Sequence, residues 1–118
     1  QMERQNQRKK SEIYDNKISK DIVKANGFNI KKKRLRKGWT QTKLASELSL
    51  YLTEGKSKMH FTFQQIQKYE KADNKVNSVI LFAFSHIFNC DLRDFFEIGE
   101  FDFPQEKTID ATQQAVGA

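Results

Sequence analysis

Thr62-Phe63-Gln64-Gln65-Ile66-Gln67-Lys68-Tyr69-Glu70 is the stretch on which the reading of this chain turns. A threonine at its start suits an N-cap, because its hydroxyl accepts from one of the free amides of the first turn. Neither Gly nor Pro follows before Lys71, and Ile66 and Tyr69 fall three apart on one side. The pattern predicts a short helix over Phe63–Lys71, with Ile66 and Tyr69 inward and Gln64, Gln65, Gln67 and Lys68 polar. Such a face carries specific chemistry. A glutamine amide pairs bidentately with an adenine edge in the major groove, and a lysine reaches guanine acceptors. A helix N-terminus attracts phosphate through its free N–H groups and its dipole. Short glutamine-rich helices are also common solvated surface, so the neighbouring elements decide.

Working outward, Thr40 is placed to cap a helix over Gln41–Leu48, continuing through Tyr51 and Leu52, with Leu44, Ala45 and Leu48 on one face. Gly38 suits the left-handed position just past a helix end, so it closes a helix over Asn26–Lys37 anchored by Ile30 and Leu35. A weaker helix is expected from Ser11 through Ile13, Tyr14, Ile18, Ile22 and Val23. Glu54–Lys58 reads as an exposed loop and Ala72–Lys75 as a turn. Asn77 or Ser78 caps a helix over Val79–Phe88, and Asn89-Cys90-Asp91 leads to a fifth over Leu92–Glu97. After Gly99 the chain is acidic, with Phe101, Phe103 and its single proline, Pro104. Thr108–Ala118 has few large side chains and is expected to be disordered. No alternating apolar run predicts a strand, and no repeat is visible, so the class is all-α.

The 118 residues suit one domain. Only 37% are apolar, yet 10 phenylalanines supply large area for a core. The longest apolar run, Val79–Phe84, is far below the roughly 20 residues of a transmembrane helix. No short apolar run follows the basic start, so no secretory signal is expected. One cysteine excludes an internal disulfide and suits a reducing compartment, and with 2 His it makes no zinc ligand set. The net charge of +6 is uneven. Residues 1–39 hold 13 Lys/Arg against 4 Asp/Glu, whereas residues 76–118 hold 2 against 7. A polyanion partner on the basic side is expected, nucleic acid first and an anionic membrane surface second. The membrane reading needs bulky apolar residues on a basic helix, and Lys31–Lys37 offers only Leu35.

From Gly27 to Phe96 the chain resembles the phage repressor/Cro-like (XRE) helix-turn-helix family. The residues that carry the resemblance are Ile30, Arg34, Gly38-Trp39-Thr40-Gln41, Leu44-Ala45 and Leu48, then Phe61 through Glu70. They continue as Asn74-Lys75-Val76, Leu81, Phe84, Phe88, Cys90-Asp91-Leu92 and Phe95-Phe96-Glu97. Thr62–Glu70 is especially similar to a bacterial subgroup whose recognition helix reads TFQQ(I/V)QKYE. The resemblance implies a five-helix lambda-repressor-like DNA-binding domain over residues 21–98. A basic N-terminal extension over residues 1–20 and an acidic C-terminal tail over residues 99–118 flank it, as flexible or helical extensions. It implies that Phe63, Gln64 and Lys68 face base edges in the major groove, with Phe63 against a thymine methyl, Gln64 on adenine and Lys68 on a base or a flanking phosphate, and that Gln67 also belongs to the DNA-binding set. Gln41 and Thr62 fall where family members donate to phosphate, and Asn74 and Lys75 would hold the backbone. Arg34 and Glu70 occupy the positions of a partly buried ion pair.

Two departures stand out. The motif's turn is enlarged, with Ser49–Phe61 between Leu48 and Thr62. Ala72 stands where the family prefers glycine, and Asp73 or Asn74 is expected to take the left-handed position instead. The helix over Val79–Phe88 is apolar on every face, so it is expected to be covered on several sides. Ile80, Phe82, Ala83 and Ile87 are assigned to a homodimer interface, in keeping with the family's use of its later helices. Cys90 reads as a structural core thiol and Trp39 as a core residue over the end of the first helix.

The expected function is that of a sequence-specific regulator of transcription. It would bind an inverted repeat of double-stranded DNA as a homodimer, in the bacterial cytoplasm at the nucleoid. No catalytic set, cofactor or metal is expected. The alternative is an antitoxin-like or adaptor protein with autoregulatory DNA binding, whose protein partner meets the 49–61 insert or the acidic tail.

Overall fold

In the computed structural model, which describes residues 15–53 and 60–99, each helix begins at a short polar side chain. The described residues form four α-helices: α1 (Lys17–Arg36), α2 (Gln41–Thr53), α3 (Phe63–Glu70) and α4 (Ser78–Ile87). A 3₁₀ helix follows over Leu92–Phe96, and no strand occurs among the described residues. Asn16 accepts from the Ser19 amide at 2.9 Å, Thr40 from Lys43 at 3.0 Å, and Asn77 from Ile80 at 2.9 Å. Thr62 accepts more weakly from Gln65 at 3.4 Å. Each bond satisfies one of the amides that a helix start leaves without a backbone partner.

Three helices stop in the same way. After α1, Gly38 donates its amide to Leu35 and Trp39 donates to Arg34. After α3, Ala72 donates to Tyr69 and Asp73 to Lys68. After α4, Asn89 donates to His86 and Cys90 to Ser85. This is the Schellman pattern, which requires a left-handed residue just past the cap. Gly38, Ala72 and Asn89 supply it, with φ of +70°, +61° and +50°. The expectation that Asp73 or Asn74 would relieve Ala72 is therefore corrected. The two amides that close α3 fix the left-handed site at position 72, whatever side chain stands there.

Two element boundaries also differ from expectation. The separate helices over Ser11–Val23 and Asn26–Lys37 merge, over the described part, into α1, with Asn26 bonded to the Phe95 carbonyl and Gly27 packed on the end of α3. The α-helix expected over Leu92–Glu97 is instead a 3₁₀ helix of five residues, so the described residues hold four α-helices and this one short turn. Asp91 caps it from two positions away, accepting from Arg93 at 2.9 Å, and the Asp94 amide bonds the Asp91 carbonyl. That tight i to i+3 start, followed by extended backbone at Glu97, leaves no room for an α-turn.

The core forms where the helices cross. Ile30 of α1, Leu44 and Leu48 of α2, Ile66 of α3 and Phe84 of α4 are fully buried together with Phe95. Trp39, Leu52, Phe61, Ile87 and Cys90 pack against them. Buried asparagines on α1 hold the 3₁₀ helix: Asn26 donates to the Phe95 carbonyl and Asn29 to that of Glu97, both at 2.8 Å. Lys33 adds a 3.0 Å ion pair with Asp94.

Candidate nucleic-acid interface

The outward side of α3 follows from its inward side. Ile66 and Tyr69 fill the core, so Phe63, Gln64 and Lys68 are exposed and Gln67 is half-buried. Lys71, at the helix end, continues the same stripe four residues beyond Gln67 and is also exposed. It was not among the expected site residues. The spacing from Gln64 and Gln67 was the signal that places it there. Asn74 and Lys75 follow, exposed, in the turn that leaves α3. Thus Thr62, Phe63, Gln64, Gln67, Lys68, Asn74 and Lys75 lie on one helix and its two ends.

The mount behind this face is polar and buried. Arg34 of α1 grips the Glu70 carboxylate with two bonds, Nε to Oε2 at 2.7 Å and Nη2 to Oε1 at 2.9 Å. The two side chains are 0% and 3% exposed, so the pair is more deeply buried than expected. Arg34 Nη1 also donates to the Trp39 carbonyl at 2.9 Å. Gln41, at the start of α2, donates its Nε2 to Glu70 Oε1 at 3.0 Å. One carboxylate thereby ties α1, α2 and α3 together. Charge-assisted, bidentate bonds of this kind fix orientation as well as position. Deleting either charge would strand the other in the interior, at about 3–5 kcal/mol. Gln41 was expected at a phosphate. It is instead buried, and its amide orients α3 from inside.

Gly27 explains how α1 comes so close. A Cβ there would overlap the Tyr69 carbonyl oxygen and stand 2.9 Å from that of Glu70. Glycine is therefore needed for the approach of α1 to the last turn of α3. On the other side of α3, the enlarged turn leaves α2 and α3 packed together. α2 continues to Thr53, residues 54–59 lie outside the described residues, and the chain returns with the Phe61 amide bonded to Ser49 Oγ at 2.8 Å. A groove of about 460 Å³ runs between α2 and α3, lined by Ser46, Ser49, Leu50, Phe61 and Phe63 among others.

The assigned dimer residues divide. Phe82 is 53% exposed, beside Val79 at 60%. Ile80 and Ala83, at 4% and 0%, are buried in this chain's own core, and Ile87 packs against that core too. Their assignment to a dimer interface is corrected: an all-apolar helix hides its phase, and here the core takes Ile80, Leu81, Ala83 and Phe84. Phe82 packs on His86, whose ring stacks on Tyr51 of α2 at 5.7 Å.

Burial pushes the Cys90 thiol and the Tyr69 hydroxyl up from their ordinary pKa values and pulls the Lys32 ammonium down. Cys90 is half-buried and packs against the core. No group of His, Cys, Asp and Glu able to hold a metal occurs among the described residues. None of the described helices is long and apolar enough to cross a membrane. The tail residues Phe101 and Phe103 lie outside the described residues. Comparison of the chain with protein-family models, with curated proteins and with solved structures found no match.

Proposed function

We propose that this protein is a sequence-specific, double-stranded DNA-binding regulator of transcription, with a lambda-repressor-like helix-turn-helix formed by α2 and α3. The observation that carries this reading is the outward face of α3. It presents an aromatic edge, two amides and a lysine in one stripe, on a helix held by a buried ion pair and a glycine-mediated contact. In this reading Phe63 and Gln64 meet base edges, and Gln67 and Lys68 meet bases or the adjoining backbone. Thr62, Asn74 and Lys75 set the register on phosphate. Gln41 and the Arg34–Glu70 pair keep α3 at its docking angle. The protein acts as a homodimer on an inverted repeat, with Phe82 and Val79 of α4 in the interface.

Selection from random duplexes followed by salt titration tests the reading. A dimer with about eight phosphate contacts gives a log–log slope near −7. Gln64→Ala relaxes preference at one base pair, at about 1–3 kcal/mol, while Lys75→Ala weakens all sequences alike. The reading fails if no sequence is enriched and Gln64→Ala leaves affinity unchanged.

The second reading, an antitoxin-like or adaptor protein, is favoured by the apolar groove beside α3, where Leu50 is largely exposed. Stoichiometric co-purification of a second chain that Leu50→Asp releases would support it.

A further inference from the structure

α1 is longer than its contact with α3 requires. It meets the last carbonyls of α3 at Gly27 and extends N-terminally from that crossing by ten residues, to Lys17. The extension carries Lys17, Lys20 and Lys24 against a single carboxylate, Asp21, and Lys20 and Lys24 are one helical turn apart. Opposite them runs the turn that leaves α3. Between the two opens a groove of about 310 Å³, lined by Lys20, Val23, Lys24, Ala72, Asp73 and Lys75.

Three lysines and one aspartate thus line one small space. Asp73 offsets one of the positive charges, and the lining keeps a net charge of +2. A local reading is that these lysines neutralise the negative end of the α3 dipole. The carbonyls at that end, however, already accept from the chain. Gln67 accepts from the Lys71 amide, Lys68 from those of Asp73 and Asn74, and Tyr69 from that of Ala72. The same bonds hold the turn, so Lys75 is carried at a set position relative to the outward stripe of α3. Lys68 and Lys71 stand on α3 just before that turn, and the chemistry that Lys20, Lys24 and Lys75 suit together is phosphate.

We propose that the groove between the N-terminal half of α1 and the turn after α3 is a second backbone-phosphate site, at which Lys20 and Lys24 hold the duplex beside the segment read by α3. The proposal rests on the DNA-binding reading above and extends it to residues outside the helix-turn-helix. Its contacts are indifferent to sequence, because phosphates are the same at every step.

The experiment uses the full chain, its selected duplex and an unrelated duplex. Wild type is compared with Lys20→Gln/Lys24→Gln and with Lys20→Arg/Lys24→Arg, after circular dichroism and urea unfolding have shown each to be folded. The glutamine variant should weaken binding to both duplexes by the same factor. It should also flatten the log–log salt slope by about 2 per protomer, at roughly 0.9 for each lost phosphate contact. The arginine variant should keep the wild-type slope. Unchanged affinity and slope in the glutamine variant would overturn the proposal, as would a loss of stability with the slope intact. Binding to phosphatidylglycerol vesicles that the glutamine variant loses, with duplex binding unaltered, would overturn it in favour of a lipid surface. A wild-type protein that binds duplex without preference, yet with a slope the glutamine variant flattens, sinks the sequence-specific reading and leaves the groove standing. A wild-type protein that binds no duplex sinks both.

Discussion

Ala72 carries a backbone conformation that suits glycine, at φ +61°, because the two amides closing α3 demand it. A left-handed alanine costs about 1–2 kcal/mol, while glycine loses about 0.5–1 kcal/mol of that advantage to its freer unfolded chain. Ala72→Gly should therefore raise stability by about 0.5–1 kcal/mol, read as a higher urea midpoint at constant slope. An unchanged or lower midpoint would contradict the strain. Residue chemistry of this local kind was the most legible part of the chain. Thr40, Thr62 and Asn77 cap as expected, and Gly38 ends α1 where it should, since each acts on backbone groups within three positions. The Arg34–Glu70 pair came only through resemblance, because nothing in either residue's neighbourhood links positions 36 apart. Ala72 misled because the conformation there is imposed by the helix before it and not by its own preference.

At the scale of elements, the crossing of α1 over α3 depends on a hydrogen atom at Gly27. Gly27→Ala would push a methyl group into the carbonyls of Tyr69 and Glu70, which are backbone and cannot swing aside. Overpacking of this sort costs about 1–3 kcal/mol. The same displacement would lengthen the Arg34–Glu70 bonds, so the loss should fall at the upper end, measured by thermal or urea unfolding. A cost within a few tenths of a kcal/mol would mean the helices separate freely. In an ordinary surface helix this substitution would raise helix propensity, so the sign alone discriminates. Neither the merger of two expected helices into α1 nor the 3₁₀ helix was legible. Helix continuity across Asn26 and Gly27 is stabilised by contacts with Phe95 and α3, and those partners are about 40 to 70 positions away. The mismatch at α4 has a related cause. Six consecutive apolar residues have no polar side to give the helix a phase, and only packing against α2 and the 3₁₀ helix turned Ile80 and Ala83 inward.

For the whole molecule, Val79 and Phe82 form the apolar part of α4 that the monomer leaves uncovered. The proposed homodimer buries them, and Phe82→Glu should convert it to a monomer by light scattering. In the same variant the salt slope of DNA binding should fall to about half, because one protomer then contributes the phosphate contacts alone. A wild-type monomer at high micromolar concentration would remove this interface from consideration. The mount of α3 has one more implication. Two inward side chains and one carboxylate fix the helix, while positions 63, 64 and 68 take no part in the core. Under the DNA-binding function proposed above, altering them would change what the molecule meets without changing how it folds. A combinatorial library at those three positions would therefore sample new partners against a constant background of stability, and the same separation gives natural drift a route to new preferences that does not pass through unfolded ancestors.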